Sequence, residues 1–124
     1  IKTSNAPAAV GPYSQAIKAG TTLYISGQIP LNPETNVIIK GDIAAQTKQI
    51  FSNIEAIIKA SNSNASLQNI VKTTVFLTNL EDFSAVNEVF KELLVEPYPS
   101  RSTVQVAALP KGAIIEIESI VEIN

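Results

Sequence analysis

A chain of 124 residues that is 45% hydrophobic can bury about two-thirds of its unfolded surface, and it is read as one globular domain spanning residues 1–124. With nine Lys and Arg against eleven Asp and Glu, a net charge of -2 and a pI near 5.1, it would meet a phosphate backbone with mild repulsion, which argues against nucleic acid as a partner. Cysteine and histidine are absent, which removes the thiolate nucleophile, the imidazole base and the ordinary zinc site; the remaining chemistry is that of carboxylates, hydroxyls, Lys, Arg and backbone groups, and no cofactor or metal is expected.

The chain opens without the basic and apolar regions of a signal peptide. No stretch approaches the ~20 apolar residues of a membrane span. The expected compartment is therefore the cytoplasm, with the mitochondrial matrix as the alternative, and no membrane partner is expected. Residues 14–18 and 21–29 read as a hairpin joined at Ala19-Gly20, the second strand alternating Leu23, Ile25 and Gly27 against Tyr24, Ser26 and Gln28. Beyond a loop through Pro30, Pro33 and Gly41, Asp42 can cap a helix whose positions Ile43, Thr47, Ile50, Phe51, Ile54, Ile57 and Ile58 keep helical spacing. Residues 70–78 form a strand, with Val71, Thr73, Val75 and Leu77 on one face. A second helix over residues 81–94 carries Phe83, Val86, Phe90, Leu93 and Leu94 as its buried stripe. Residues 101–109 and 114–123 read as a closing hairpin around Pro110-Lys111-Gly112-Ala113.

This order predicts an α+β sandwich, with a mixed sheet of about six strands and two helices on one face. In the last strand Ile115, Ile117, Val121 and Ile123 point one way and Glu116, Glu118, Ile120 and Glu122 the other. The strand before it is read with Val104, Val106 and Ala108 toward the helices, opposite Arg101, Thr103 and Gln105. The second sheet face then mixes Ile114, Ile120 and Leu109 with Glu and Arg, which is too apolar for plain solvent and predicts a homo-oligomer.

Arg101 is the only arginine, set in Pro97-Tyr98-Pro99-Ser100-Arg101-Ser102-Thr103, and its donor fork suits one flat anion such as a substrate carboxylate. A surface or intersubunit ion pair is the alternative. The hairpin register puts Glu116 opposite Ala107, roughly 20 Å along the strand from Arg101, so the two cannot share a small ligand inside one chain. Glu116 is either a solvated strand carboxylate or part of a site between subunits. Asn87, at the edge of the second helix's apolar stripe, either ties down a loop or faces a ligand. Tyr13 in Gly11-Pro12-Tyr13 presents a hydroxyl or packs in the core or an interface. Ser26-Gly27-Gln28 suits close approach of a ligand to backbone, or a strand-end bulge.

Taken together these segments resemble the RidA/YjgF family of enamine/imine deaminases. The resemblance runs through Asn5-Ala6-Pro7-Ala8-Ala9, Gly11-Pro12-Tyr13-Ser14-Gln15, Ser26-Gly27-Gln28-Ile29-Pro30, Val71-Lys72-Thr73-Thr74-Val75-Phe76-Leu77, Asn79-Leu80-Glu81-Asp82-Phe83 and Val86-Asn87. It is strongest from Pro99-Ser100-Arg101-Ser102 through Val104, Ala107 and Leu109 to Ile115-Glu116-Ile117. It implies a chorismate-mutase-like sandwich assembled as a homotrimer, with sites between subunits. The implied reaction is hydrolysis of 2-aminoacrylate, 2-iminopropanoate and 2-iminobutanoate to 2-oxo acids and ammonia, protecting pyridoxal-phosphate enzymes. By the same resemblance Arg101 binds the substrate carboxylate, the Thr103 carbonyl holds its nitrogen, and Glu116 positions or activates water. Tyr13 joins these catalytic positions, while Ser26 and Asn87 complete the substrate pocket. Thr103 stands where many relatives carry cysteine, so thiol-based control does not transfer. An RNA-cleaving translation inhibitor and a non-catalytic, chaperone-like small-ligand-binding trimer are the alternative functions.

Overall fold

In the computed structural model, which describes residues 1–123, Asp42 does begin the longer helix. Its carboxylate accepts from the Ala45 backbone N–H at 2.9 Å, satisfying one of the orphan donors of helix α1 (Ile43–Ser61). The predicted spacing places Ile50, Phe51, Ile54, Ile57 and Ile58 in the core with no exposed surface. A second helix, α2 (Phe83–Leu93), follows a single 3₁₀ turn, Leu80–Asp82, that Asn79 caps through the Glu81 N–H at 2.9 Å. Phe51 of α1 meets Phe90 of α2 edge to face, with ring centroids 5.2 Å apart.

Five strands form one sheet: β1 (Ala16–Ala19), β2 (Thr22–Gln28), β3 (Ile70–Leu77), β4 (Ser100–Gln105) and β5 (Ile115–Glu122), in the order β1-β2-β5-β3-β4. The count is five rather than about six. β1, β2, β5 and β3 pair antiparallel, whereas β4 lies parallel to β3 at the edge. The hairpin turn at Gly20 has φ +63°, where glycine is unstrained. Both helices cover the face that carries Leu23, Ile25, Val75, Leu77, Ile115, Ile117 and Val121.

Three expectations are corrected. Residues 101–109 and 114–123 do not form a hairpin, because β3 lies between β4 and β5. The extended run stops at Gln105, and a 3₁₀ turn at Pro110–Gly112 carries the chain on to β5. The short Pro-Lys-Gly-Ala segment looks like a hairpin turn locally, but the β3–α2–β4 crossover claims the neighbouring position. Second, the faces of β4 are reversed. Thr73 aligns with Arg101 and Val75 with Thr103, which puts Arg101 and Thr103 on the helix side and leaves Val104 outward and 42% exposed. An edge strand at the margin of the helical layer need not be apolar on that side, so its valine pattern misleads. Third, a bulge between Ile70 and Lys72 turns Val71 outward. A second bulge, between Ile25 and Gln28, buries Gln28 and leaves Ser26 and Gly27 at the irregularity.

α1 also holds a buried amide that the hydrophobic pattern did not reveal. Asn53, 1% exposed, donates to the Leu31 carbonyl at 2.9 Å and accepts from Gln49 at 3.0 Å, tying the loop after β2 to the helix. Replacing Asn53 by Leu leaves that carbonyl buried and unpaired, so we expect a loss of about 1–3 kcal/mol in chemical denaturation, with the slope unchanged.

Candidate active site

Arg101 leaves β4 toward α2. Its guanidinium carbon lies 5.1 Å from the Phe83 ring centroid and 4.8 Å from that of Phe90, within cation–π range of both. The ion pairs among the described residues are Lys48–Glu92 and Lys91–Glu88, each at 3.2 Å, and Arg101 takes part in neither. The intrachain ion-pair alternative is therefore not realised there. Burial pulls the guanidinium below its ordinary pKa, and it remains a cation. Beside it opens a cavity of about 480 Å³ whose lining includes Asn87, Phe90, Tyr98, Pro99 and Arg101 together with Glu88 and Lys91, which pair with each other. Thr103, two residues along β4 on the same face, has a buried hydroxyl without a partner. Because β4 is an edge strand, part of its backbone hydrogen-bonding capacity is not used by the sheet.

Glu116 stands on β5 with its side chain on the other face. It lines a second cavity, of about 680 Å³, together with Tyr13, Ser26, Gly27, Asn36 and Glu118. The bulge at the end of β2 makes room for it. A Cβ built on Gly27 would overlap the Glu116 side chain, with the carboxyl carbon only 2.8 Å away. Gly27 thus lets the Glu116 carboxylate lie against the backbone, and a side chain at that position would push the carboxylate aside. The Ser26 hydroxyl donates to the Ser14 carbonyl at 2.6 Å, and the Tyr13 hydroxyl accepts from the Val10 N–H at 3.4 Å. Burial raises the pKa of Glu116 above that of an ordinary glutamate, and the Glu118 charge on the same face of β5 raises it further.

The six residues singled out from the sequence therefore fall into two groups. Arg101, Thr103 and Asn87 belong to the helix side, and Tyr13, Ser26 and Glu116 to the opposite cleft. Arg101 and Glu116 do not meet within one chain, though not because of a 20 Å hairpin separation. Glu116 aligns with Phe76, and Phe76 with Val104, so the offset from Arg101 is about 10 Å along the strands and about 10 Å across them. The sheet itself lies between their side chains.

Sequence reasoning missed Gln15, which is 4% exposed. Its amide donates to the carbonyls of Thr3 at 3.0 Å and Pro7 at 2.8 Å and accepts from the Thr3 N–H at 2.8 Å, holding the N-terminal segment against the Tyr13 cleft. Gln15 lies just before β1 and is buried beside Ala16, against the two-residue alternation, so the period of the strand gave no signal for it. Among the described residues, no group of three or more His, Cys, Asp or Glu could hold a metal ion. Likewise no helix there is long and apolar enough to cross a membrane.

The family model that matches residues 3–123 is described as endoribonuclease L-PSP. The chain is 48% identical over 124 residues to a Dermatophagoides farinae protein named 2-iminobutanoate/2-iminopropanoate deaminase, covering 100% of this chain and 95% of the relative. Its fold matches the crystal structure of RidA from an Antarctic Psychrobacter with a TM-score of 0.92 and 55% identity, over 99% of this chain and 98% of that one. E. coli TdcF, solved with bound serine, matches with a TM-score of 0.90 and 41% identity, over 100% and 98% of the two chains.

The electrostatic coupling on β5 can be read directly. In a carbon-13 NMR titration the Glu116 carboxyl should ionise above the range of an ordinary glutamate. Glu118→Gln should move that midpoint down by removing the like charge, and leave it still raised by burial. An unmoved midpoint would mean that Glu118 does not act on Glu116.

Proposed function

This chain belongs to the RidA family, the family whose model is described as endoribonuclease L-PSP, and from that premise we propose that it hydrolyses short 2-imino acids and their enamine tautomers to 2-oxo acids and ammonia. The observation that carries the reading is Arg101, a guanidinium held by two aromatic rings with no carboxylate partner among the described residues. Its fork is free for a substrate carboxylate. The deaminase name of a relative 48% identical over the whole chain supports the same substrate class.

In this mechanism Arg101 takes the carboxylate as a bidentate pair. The Thr103 backbone carbonyl, on the edge strand, accepts a hydrogen bond from the substrate nitrogen. Glu116 orients a water against the imine carbon and accepts its proton, and the raised pKa suits a group that must take a proton and return it to the departing nitrogen. Water adds across C=N to give a carbinolamine, which expels ammonia and leaves the 2-oxo acid. Tyr13, Ser26 and Asn87 line the pocket around these groups. Imines hydrolyse unaided in water, so only a few kcal/mol of barrier must be removed, which orientation can supply. By removing such reactive enamine and imine intermediates the protein would protect pyridoxal-phosphate enzymes.

Two half-sites on opposite faces of one sheet require a second copy to close them. We take that assembly to be the homotrimer of the family resemblance, with Arg101 of one subunit facing Glu116 of the next. The outer sheet face offers Ile17, Tyr24 and Val104, exposed by 56%, 49% and 42%, as apolar surface for such contacts. The ribonuclease reading suggested by the family model's description has less support, since phosphate would approach an acidic protein through a cleft holding Glu116 and Glu118.

Coupled to a threonine dehydratase, the wild type should speed the loss of imine absorbance, and Arg101→Ala should return the rate to that of buffer alone. Equal rates with and without the protein would sink the deaminase reading. Shared sites make a second prediction. Arg101→Ala and Glu116→Ala trimers should each be inactive, whereas random subunit mixing should restore about a quarter of wild-type activity, because one site in each mixed trimer is whole. No recovery on mixing, with exchange verified by mass, would place both residues in one subunit's site.

A further inference from the structure

Phe83, Asn87 and Phe90 recur at i, i+4 and i+7 of α2 and so share one helix face. Arg101 reaches across from β4 to set its guanidinium against both rings. The rings have different situations. Phe90 is 6% exposed and braced edge-on by Phe51, so its place in the core explains it. Phe83, the first residue of α2, is 37% exposed, and its helical spacing alone had assigned it to the buried stripe. Core packing does not account for a large aromatic at so open a position. Contact with a cation does.

We propose that Phe83 is a positioning residue, whose ring holds the Arg101 guanidinium by its face so that the donor edge stays free for the carboxylate of a 2-oxo or 2-imino acid. The identity of that ligand rests on the deaminase reading above. A carboxylate at position 83 would also hold the cation, but it would occupy the donors and cancel the charge the ligand must meet. An aromatic face attracts the cation and consumes no donor. A guanidinium resting against two rings has also given up part of its rotamer freedom before the ligand arrives, so less is lost on binding.

The test uses 2-oxobutanoate, a stable product of the proposed reaction, titrated calorimetrically into the assembled wild type, Phe83→Leu and Phe83→Tyr. Leucine keeps apolar bulk without a ring, and we expect binding about tenfold weaker, with KM for the imine raised in step and kcat nearly unchanged. Tyrosine keeps the ring and should bind within about twofold of wild type. In an Arg101→Ala background, Phe83→Leu should cause no further loss. Phe83→Leu binding as tightly as wild type, or Phe83→Tyr as weakly as Phe83→Leu, would overturn the proposal. So would a wild type that does not bind 2-oxobutanoate. A wild type that binds it in this Phe83-dependent way yet leaves imine decay unchanged would sink the deaminase reading and leave the clamp standing. The converse, imine hydrolysis with identical KM in wild type and Phe83→Leu, would sink the clamp alone.

Discussion

The insertion of β3 between β5 and β4 is the constraint from which the rest of the arrangement follows. β3 pairs antiparallel on one side and parallel on the other, and a parallel neighbour requires a crossover, which α2 supplies. The crossover lays α2 beside β4. Arg101 therefore leaves β4 against Phe83 and Phe90, while Glu116, two strands away on β5, keeps the opposite face. Had β4 paired directly with β5, Arg101 and Glu116 would have belonged to neighbouring strands. As it is, one chain carries two incomplete clefts.

The two charged groups are prepared in different ways. Arg101 is held by aromatic faces, which leaves its donors unspent and its charge uncancelled. Glu116 is half-buried above Gly27, with Glu118 nearby, so its ionised form is disfavoured and its proton affinity raised. Neither is neutralised by a partner within the described chain. A carboxylate poised to accept a proton and a guanidinium poised to accept an anion are the chemical complements of an imino acid and the water that attacks it. In the proposed trimer, assembly brings them together.

Thr103 extends the same economy. A chain without sulfur or imidazole retains hydroxyls, carboxylates, cations and backbone groups, and the reaction proposed for it asks for no more. Imine carbon is already electrophilic, so placement does most of the work. At Thr103, any role in the proposed reaction falls to its backbone carbonyl or its hydroxyl, which is buried without a partner.

Much of this was determined by the amino-acid order alone. Helical spacing from Ile43 to Ile58, the Asp42 cap, the Gly20 hairpin turn and the inward isoleucines of β5 are local or periodic signals, and the structure realises each of them. The candidate residues were legible too, because a single arginine behind two prolines and a glutamate within an isoleucine alternation stand out, and the family resemblance linked them. Which face each residue occupies was decided only by the tertiary structure. A period of two says that Arg101 and Val104 point oppositely, but not which of them faces the helices; that depends on which strand lies alongside β4. The Pro110–Gly112 turn imitates a hairpin, and only the long-range pairing of β3 with both neighbours overrules it. Gly27 beneath Glu116, Asn53 against Leu31 and Phe83 against Arg101 are likewise contacts between segments distant in sequence, and so no local pattern could announce them.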